Sequence, residues 1–296
     1  MTYIYVSDYS TSLNLIPKPP QGLYVRGDTE VLNSPYPAVC IIGSRKHTLY
    51  GEQVVRSIIE TLAPYHIPIV SGLATGIDTL AHTYALKHNL PCIAVLGCGI
   101  DDDTIYPREN LGLAYRIIEA KGLLVSEYPP ETKPEKWRFP MRNRIMAGIA
   151  SVIIIVEGGE KSGTLITGKI GLEYNKHIFC VPGSIFSEVS RGPLSLIAEG
   201  ATPLIRPSDI LEVLGILPKE DIATTQKDGV KVYRDIDTKY CTADEIRILE
   251  SLIEEPLSLN DISYKTGIDI ADLYIHITTL EVKKYIIQKY GKIVRV

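Results

Sequence analysis

No apolar run in this 296-residue chain approaches the roughly 20 residues that cross a bilayer, so a membrane protein is not expected. The N-terminal Met1-Thr2-Tyr3-Ile4-Tyr5 lacks the basic stretch and apolar core of a signal peptide. None of the five cysteines, Cys40, Cys92, Cys98, Cys180 and Cys241, forms a C-x-x-C pair. They read as small core residues in a reducing compartment, and a cytoplasmic location is the expectation. Strong net charge is missing too: 31 Lys and Arg against 35 Asp and Glu leave −4. A nucleic-acid site must then be a local patch with salt-sensitive affinity. Neither G-x-G-x-x-G nor a Walker A sequence occurs, so the dinucleotide fingerprint and the P-loop are absent. Internal repeats and low-complexity tracts are absent as well. What remains is an ordinary globular mix, 45% hydrophobic and 22% charged. Its length suits one large domain with a smaller one, or two middling ones.

Residues 1–37 carry five prolines and read as an extended N-terminal arm with one short strand, Leu23–Arg26. An alternation follows. Apolar, β-branched runs stand at Ala38–Gly43, Ile67–Ser71, Cys92–Gly97, Gly122–Ser126, Ser151–Val156 and His177–Val181. Segments of helical period lie between them, among them Glu52–Ala63, Ile77–His88 and Leu111–Lys121. Strands apolar along their whole length suit a parallel sheet covered on both faces. The fold class expected for 38–214 is therefore α/β, an extended Rossmann-type, doubly wound and mostly parallel sheet. Residues 215–240 are polar and uneven and read as a linker. Over 241–296 the pattern gives three short helices, the first opened by a capping box at Thr242 and Glu245, and a hairpin turning at Gly291. That order predicts a small C-terminal winged helix-turn-helix domain.

Several strand ends carry candidate chemistry. Lys136-Trp137-Arg138-Phe139-Pro140-Met141-Arg142-Asn143-Arg144 puts four cations and two aromatic rings into nine residues, the combination a single nucleic-acid strand needs for its phosphates and bases. Gly43-Ser44-Arg45 sets a small residue and a fixed cation at the carboxyl edge of the sheet, where open α/β folds bind ligands. Ser71-Gly72-Leu73-Ala74-Thr75-Gly76 precedes a helix and has the composition of an anion-cradling turn. Asp78 and His82 follow it and read as a helix cap and a packed side chain, since a metal site would need a third ligand. Gly97-Cys98-Gly99 leads to Tyr106-Pro107, with Pro107 placed for a first helical position, and Cys98 has no local base that would make it a nucleophile. Glu157 to Thr167, with Gly163 and Thr164 opening a helix, is another phosphate-compatible loop. No catalytic residue, metal or cofactor is expected from these patterns.

These segments, in order and spacing over about residues 13–214, resemble the hallmark motifs of the DNA processing protein A family, also called Smf. The resemblance implies a Rossmann-type domain that binds single-stranded DNA and forms a homodimer. It further implies protection of incoming strands during natural transformation and loading of the RecA recombinase onto them. Carried over by position, Arg45 resembles the family's phosphate-binding arginine, Lys136 and Phe139 its lysine and base-contacting aromatic, and Arg142, Asn143 and Arg144 its R-N-R motif. Together with Gly43, Ser44, Ser71, Gly72, Gly76, Gly163 and Thr164 these form the expected DNA site. The segment Ser190–Ile197 departs from the family's usual asparagine-bearing loop.

Two other readings compete. The related cytokinin-activating phosphoribohydrolases of the LOG type use similar segments, so a nucleotide-handling enzyme is possible on this scaffold. Thr167, however, stands where their catalytic glutamate is expected, which removes the acid/base. Alternatively, the winged helix could read duplex DNA in a nucleotide-sensing regulator. Its third helix has lysines only at its end, Lys283 and Lys284, and acids at Asp269, Asp272 and Glu281. That charge pattern is poor for a major groove.

Overall fold

The computed structural model describes residues 2–5, 11–34, 36–160, 162–216, 241–252, 257–283, 285–289 and 292–295. Most of the expected linker, together with Lys284 and the turn at Gly291, lies outside them. The chain divides into two compact units, Met1–Leu214 and Gly215–Val296.

The first unit runs β1 (Thr2–Tyr5), α1 (Thr11–Asn14), β2 (Gly22–Gly27), β3 (Val39–Ile42), α2 (Leu49–Leu62), β4 (Ile69–Ser71), α3 (Ile77–Lys87), β5 (Cys92–Leu96), α4 (Leu111–Glu119) and β6 (Leu123–Ser126). It continues with α5 (Arg138–Ile149), β7 (Val152–Ile155), α6 (Gly163–Glu173), β8 (His177–Cys180), α7 (Arg191–Ala198), β9 (Thr202–Pro203) and α8 (Asp209–Val213). One nine-stranded sheet holds the order β1-β2-β6-β5-β4-β3-β7-β8-β9. From β6 across to β9 every pairing is parallel; β1 with β2, and β2 with β6, are antiparallel. Successive strands move outward one way from β3 to β6, then restart on the other side of β3 at β7. Right-handed crossovers that reverse direction put helices on both faces and leave a crevice where the order reverses, between β3 and β7. The expected doubly wound sheet is present.

Burial explains the apolar runs. β3, β4, β5, β6 and β7 are buried at every position, because helices cover both faces. In α2 the buried Val55, Ile58, Ile59 and Leu62 recur at helical spacing, and Thr48 caps the helix by accepting from Gly51 N. Burial also pushes the thiols of Cys40, Cys92 and Cys180 up, as inert core residues require.

The N-terminal stretch differs from its reading as an arm with a single strand. It supplies two strands that extend the sheet past β6, and Leu13 and Ile16 bury against the α5 side of the core. Gly148 of α5 makes room: a Cβ there would come within 2.5 Å of Leu13 Cδ1. β1 escaped notice because Ile4 is its only buried residue, too little for a period to show. Pro107 also differs, standing just ahead of a short 3-10 turn, Arg108–Asn110, that leads into α4.

The second unit holds α9 (Ala243–Ser251), α10 (Leu259–Thr266), α11 (Ile270–Val282) and an antiparallel pair, β10 (Ile286–Lys289) with β11 (Lys292–Arg295). The expected capping box at Thr242 and Glu245 is formed, and Gly267 ends α10 in the left-handed region, at φ 71°. Ile248, Leu257, Ile262, Leu273, Ile277, Leu280, Ile286 and Ile293 make a separate core.

Candidate nucleic-acid interface

The carboxyl ends of β3 and β7 open onto a cavity of about 700 Å³ at the point where the strand order reverses. From β3 come Gly43, Ser44 and Arg45. Gly43 lets the turn pack closely, since a Cβ would lie 2.5 Å from Ile77 Cγ1 at the start of α3. The Ser44 carbonyl accepts from Ile77 N at 3.1 Å. Gly76, at φ 80°, lets this turn close, because a Cβ there would sit 2.2 Å from that same carbonyl oxygen. The turn thus holds Arg45 outward and exposed.

From the segment leading into α5 come Pro134, Lys136, Phe139, Arg142, Asn143 and Met146. Phe139 seats against Gly97 after β5, where a Cβ would fall 2.9 Å from its ring. Tyr106 packs beside that ring at 5.7 Å between centroids, and the Arg45 guanidinium stands over it at 5.9 Å. Lys136 is exposed at the same cavity. The third wall is the start of α6: Ser162, Gly163, Thr164 and Thr167. Asn143 joins α5 to α6 by donating to the Gly163 carbonyl at 3.3 Å. Amides at the first turn of α6 add the positive end of the helix dipole.

The deep wall is an ion pair. Arg142, 6% exposed, donates to the carbonyls of Gly72 (2.6 Å) and Val95 and to Asn143 Oδ1 (3.1 Å). It faces Asp78 at 3.9 Å. Asp78 accepts from the amides of Gly72 (3.1 Å) and Ala74 (3.4 Å). Burial pushes the Asp78 carboxyl up, while Arg142 and those amides oppose the shift. Among the described residues the cavity is lined by three cations, Arg45, Lys136 and Arg142, and one carboxylate, Asp78. Arg142 and Asp78 offset one another, so the cavity presents the two exposed cations to solvent.

Nine of the expected site residues line this cavity: Gly43, Ser44, Arg45, Lys136, Phe139, Arg142, Asn143, Gly163 and Thr164. Gly72 lines a smaller neighbour of about 140 Å³, but its amide is already given to Asp78. Ser71, Gly76 and Arg144 line neither. Ser71 is fully buried and donates to the Ile41 carbonyl at 2.7 Å, tying β4 to β3. Arg144 points away from the cavity, held bidentately by Glu127 at 2.5 and 2.7 Å and donating to the Lys18 carbonyl. The R-N-R motif is therefore largely internal wiring. Asp78 stands in the first turn of α3 as expected, but it makes no cap hydrogen bond there, its carboxylate being taken by the Gly72 and Ala74 amides and Arg142. His82 fits the packed-side-chain reading, and burial lowers its imidazole to about 3. Among the described residues no His, Cys, Asp or Glu group could hold a metal. Tyr106, Met146 and Ser162 line the cavity without having been singled out. Tyr106 left a signal as an aromatic following the glycines after β5, and Ser162 as part of the loop opening α6.

The family model for DNA recombination-mediator protein A matches residues 1–215. The chain belongs to that family. DNA processing protein DprA of Bacillus subtilis is 42% identical over 218 residues, covering 74% of this chain and 71% of that protein. Protein Smf of Escherichia coli is 43% identical over 195 residues, covering 66% of this chain but only 51% of that one. Among solved structures, DNA processing protein A of Streptococcus pneumoniae superposes with a TM-score of 0.66 at 37% identity, covering 71% of this chain and 73% of that one. The family resemblance drawn from the motifs is thus confirmed, and the matched residues span the unit that carries the cavity.

Proposed function

We propose that this chain binds single-stranded DNA in the cavity at the β3/β7 crevice and handles such strands in DNA uptake without breaking a bond. One observation carries the reading: exposed Arg45 and Lys136, the Phe139 ring and the start of α6 all meet in one cavity. Cations for phosphates, a ring for a base and free helix amides are the parts of a single-strand site. A structure of DNA processing protein A from Helicobacter pylori, described for its single-stranded DNA binding mode, supports it; the TM-score is 0.64 at 30% identity, covering 72% of this chain and 96% of that one. Phosphate contacts carry no sequence information, so affinity should depend little on base order. Fluorescence anisotropy with labelled oligonucleotides tests this. Arg45→Ala and Lys136→Ala each weaken binding to all sequences alike, and unaltered affinity in both ends the assignment.

Loading of RecA, protection of strands during transformation and a homodimeric state belong to the same proposal, on the strength of family membership. So does a winged-helix role for the second unit. Its α11 exposes Tyr274, Ile275 and Val282, a surface better suited to protein than to phosphate. The phosphoribohydrolase alternative fares worse. Thr167 is buried, donating to the Gly163 carbonyl at 3.4 Å, and Asp78, the one carboxylate lining the cavity among the described residues, is held by amides and Arg142. Neither offers a mobile acid/base. Incubation with nucleoside monophosphates should release no free base; sustained release would restore the enzyme reading.

A further inference from the structure

We propose that Trp137, braced by Arg138 and Tyr128, is a second stacking platform that holds the base next to the one in the cavity. The proposal rests on the reading of the cavity as a single-strand site. Trp137 is 56% exposed, yet it is not loose. Its indole N–H donates to the Glu135 carboxylate. The Arg138 guanidinium stands 5.0 Å from the indole centroid and 5.0 Å from that of Tyr128, and Tyr128 meets the indole edge-on at 6.2 Å. Arg138 is itself fixed, by Glu135 at 3.0 Å and by the Lys133 carbonyl. Three partners thus set the orientation of a ring that keeps more than half its surface in water.

Hydrophobic burial alone does not account for that arrangement, because more than half of the Trp137 surface stays in solvent. An oriented, wet aromatic face is what sequence-tolerant base stacking uses. Its position fits. Pro134 and Lys136 on one side of Trp137, and Phe139 and Pro140 on the other, line the cavity, while Trp137 does not. Trp137 thus belongs to the segment that forms this wall without lining the cavity itself. Charge fits as well. Arg138 satisfies Glu135, leaving Lys133 and Lys136 as exposed cations flanking the ring, with no ion pair to either among the described residues. A strand whose phosphate meets Lys136 could place one base against Phe139 and its neighbour on Trp137.

Trp137 is the only tryptophan in the chain, so intrinsic emission reports this ring alone. The full chain is titrated with oligo-dT and with an abasic strand of equal length, and affinity is followed in parallel by anisotropy. Oligo-dT quenches the emission and the abasic strand does not. Trp137→Ala weakens oligo-dT binding about tenfold, Trp137→Phe restores most of it, and abasic binding is unchanged in both. Saturation with oligo-dT at constant emission, with Trp137→Ala binding like the parent, overturns the platform. That failure is distinct from failure of the cavity reading, which shows as Arg45→Ala and Lys136→Ala binding oligo-dT like the parent.

Discussion

Arg45 and Arg142 both line the cavity, but the molecule uses them differently. Arg45 is exposed over Phe139, whereas Arg142 is spent on carbonyls, Asn143 and Asp78. Removing one partner of a buried pair strands the other charge, which costs about 3–5 kcal/mol. Arg142→Ala should therefore lower the thermal unfolding midpoint markedly, while Arg45→Ala leaves it nearly unchanged and weakens DNA binding; calorimetry of both variants checks this. The sequence showed that these cations belong together. It could not show that Arg142 and Arg144 turn inward, because their partners Gly72, Val95 and Glu127 are distant along the chain. His82 carries a second prediction. Burial lowers its folded pKa to about 3 from an ordinary 6.5, so between those values the unfolded chain binds the extra proton. Its contribution to stability is complete above about pH 6.5 and lost as pH falls toward 3, at up to about 1.4 kcal/mol per pH unit. Stability measured across that window should flatten in a His82→Leu variant that folds; an unchanged slope contradicts the assignment.

Among the elements, the central strands were legible because burial on both faces leaves an unbroken apolar signature, as in Cys92–Leu96. β9, only Thr202–Pro203, was not, since two residues carry no period and their pairing with β8 is set by tertiary contact. The turns that shape the cavity depend on glycine at close approaches. Gly43→Ala places a methyl group 2.5 Å from Ile77. Such overpacking typically costs about 1–3 kcal/mol, and because the same turn holds Arg45 outward, DNA affinity should fall with stability. Denaturant unfolding and anisotropy on the one variant test that coupling. Equal affinity and equal stability would show that the α3 start gives way without consequence.

For the whole molecule, the two units have separate cores, and the cavity belongs wholly to the first. A chain ending at Leu214 should retain oligo-dT affinity within about threefold, a difference smaller than one typical stacked base contributes; a large loss would give the second unit a direct part in strand binding. The crevice itself was only half visible beforehand. Glycine-rich strand ends could be counted, but which of them are neighbours follows from strand order, and order is fixed by crossovers that no local pattern records. The central claim is that Arg45 and Lys136 neutralise phosphates at one rim. Affinity for labelled oligo-dT across a salt series tests it most directly. Each phosphate contact on a single strand contributes about 0.7 to the slope of log affinity against log salt, so the Arg45→Ala/Lys136→Ala double variant should lose about 1.4 of that slope. A slope identical to the parent's would contradict the account.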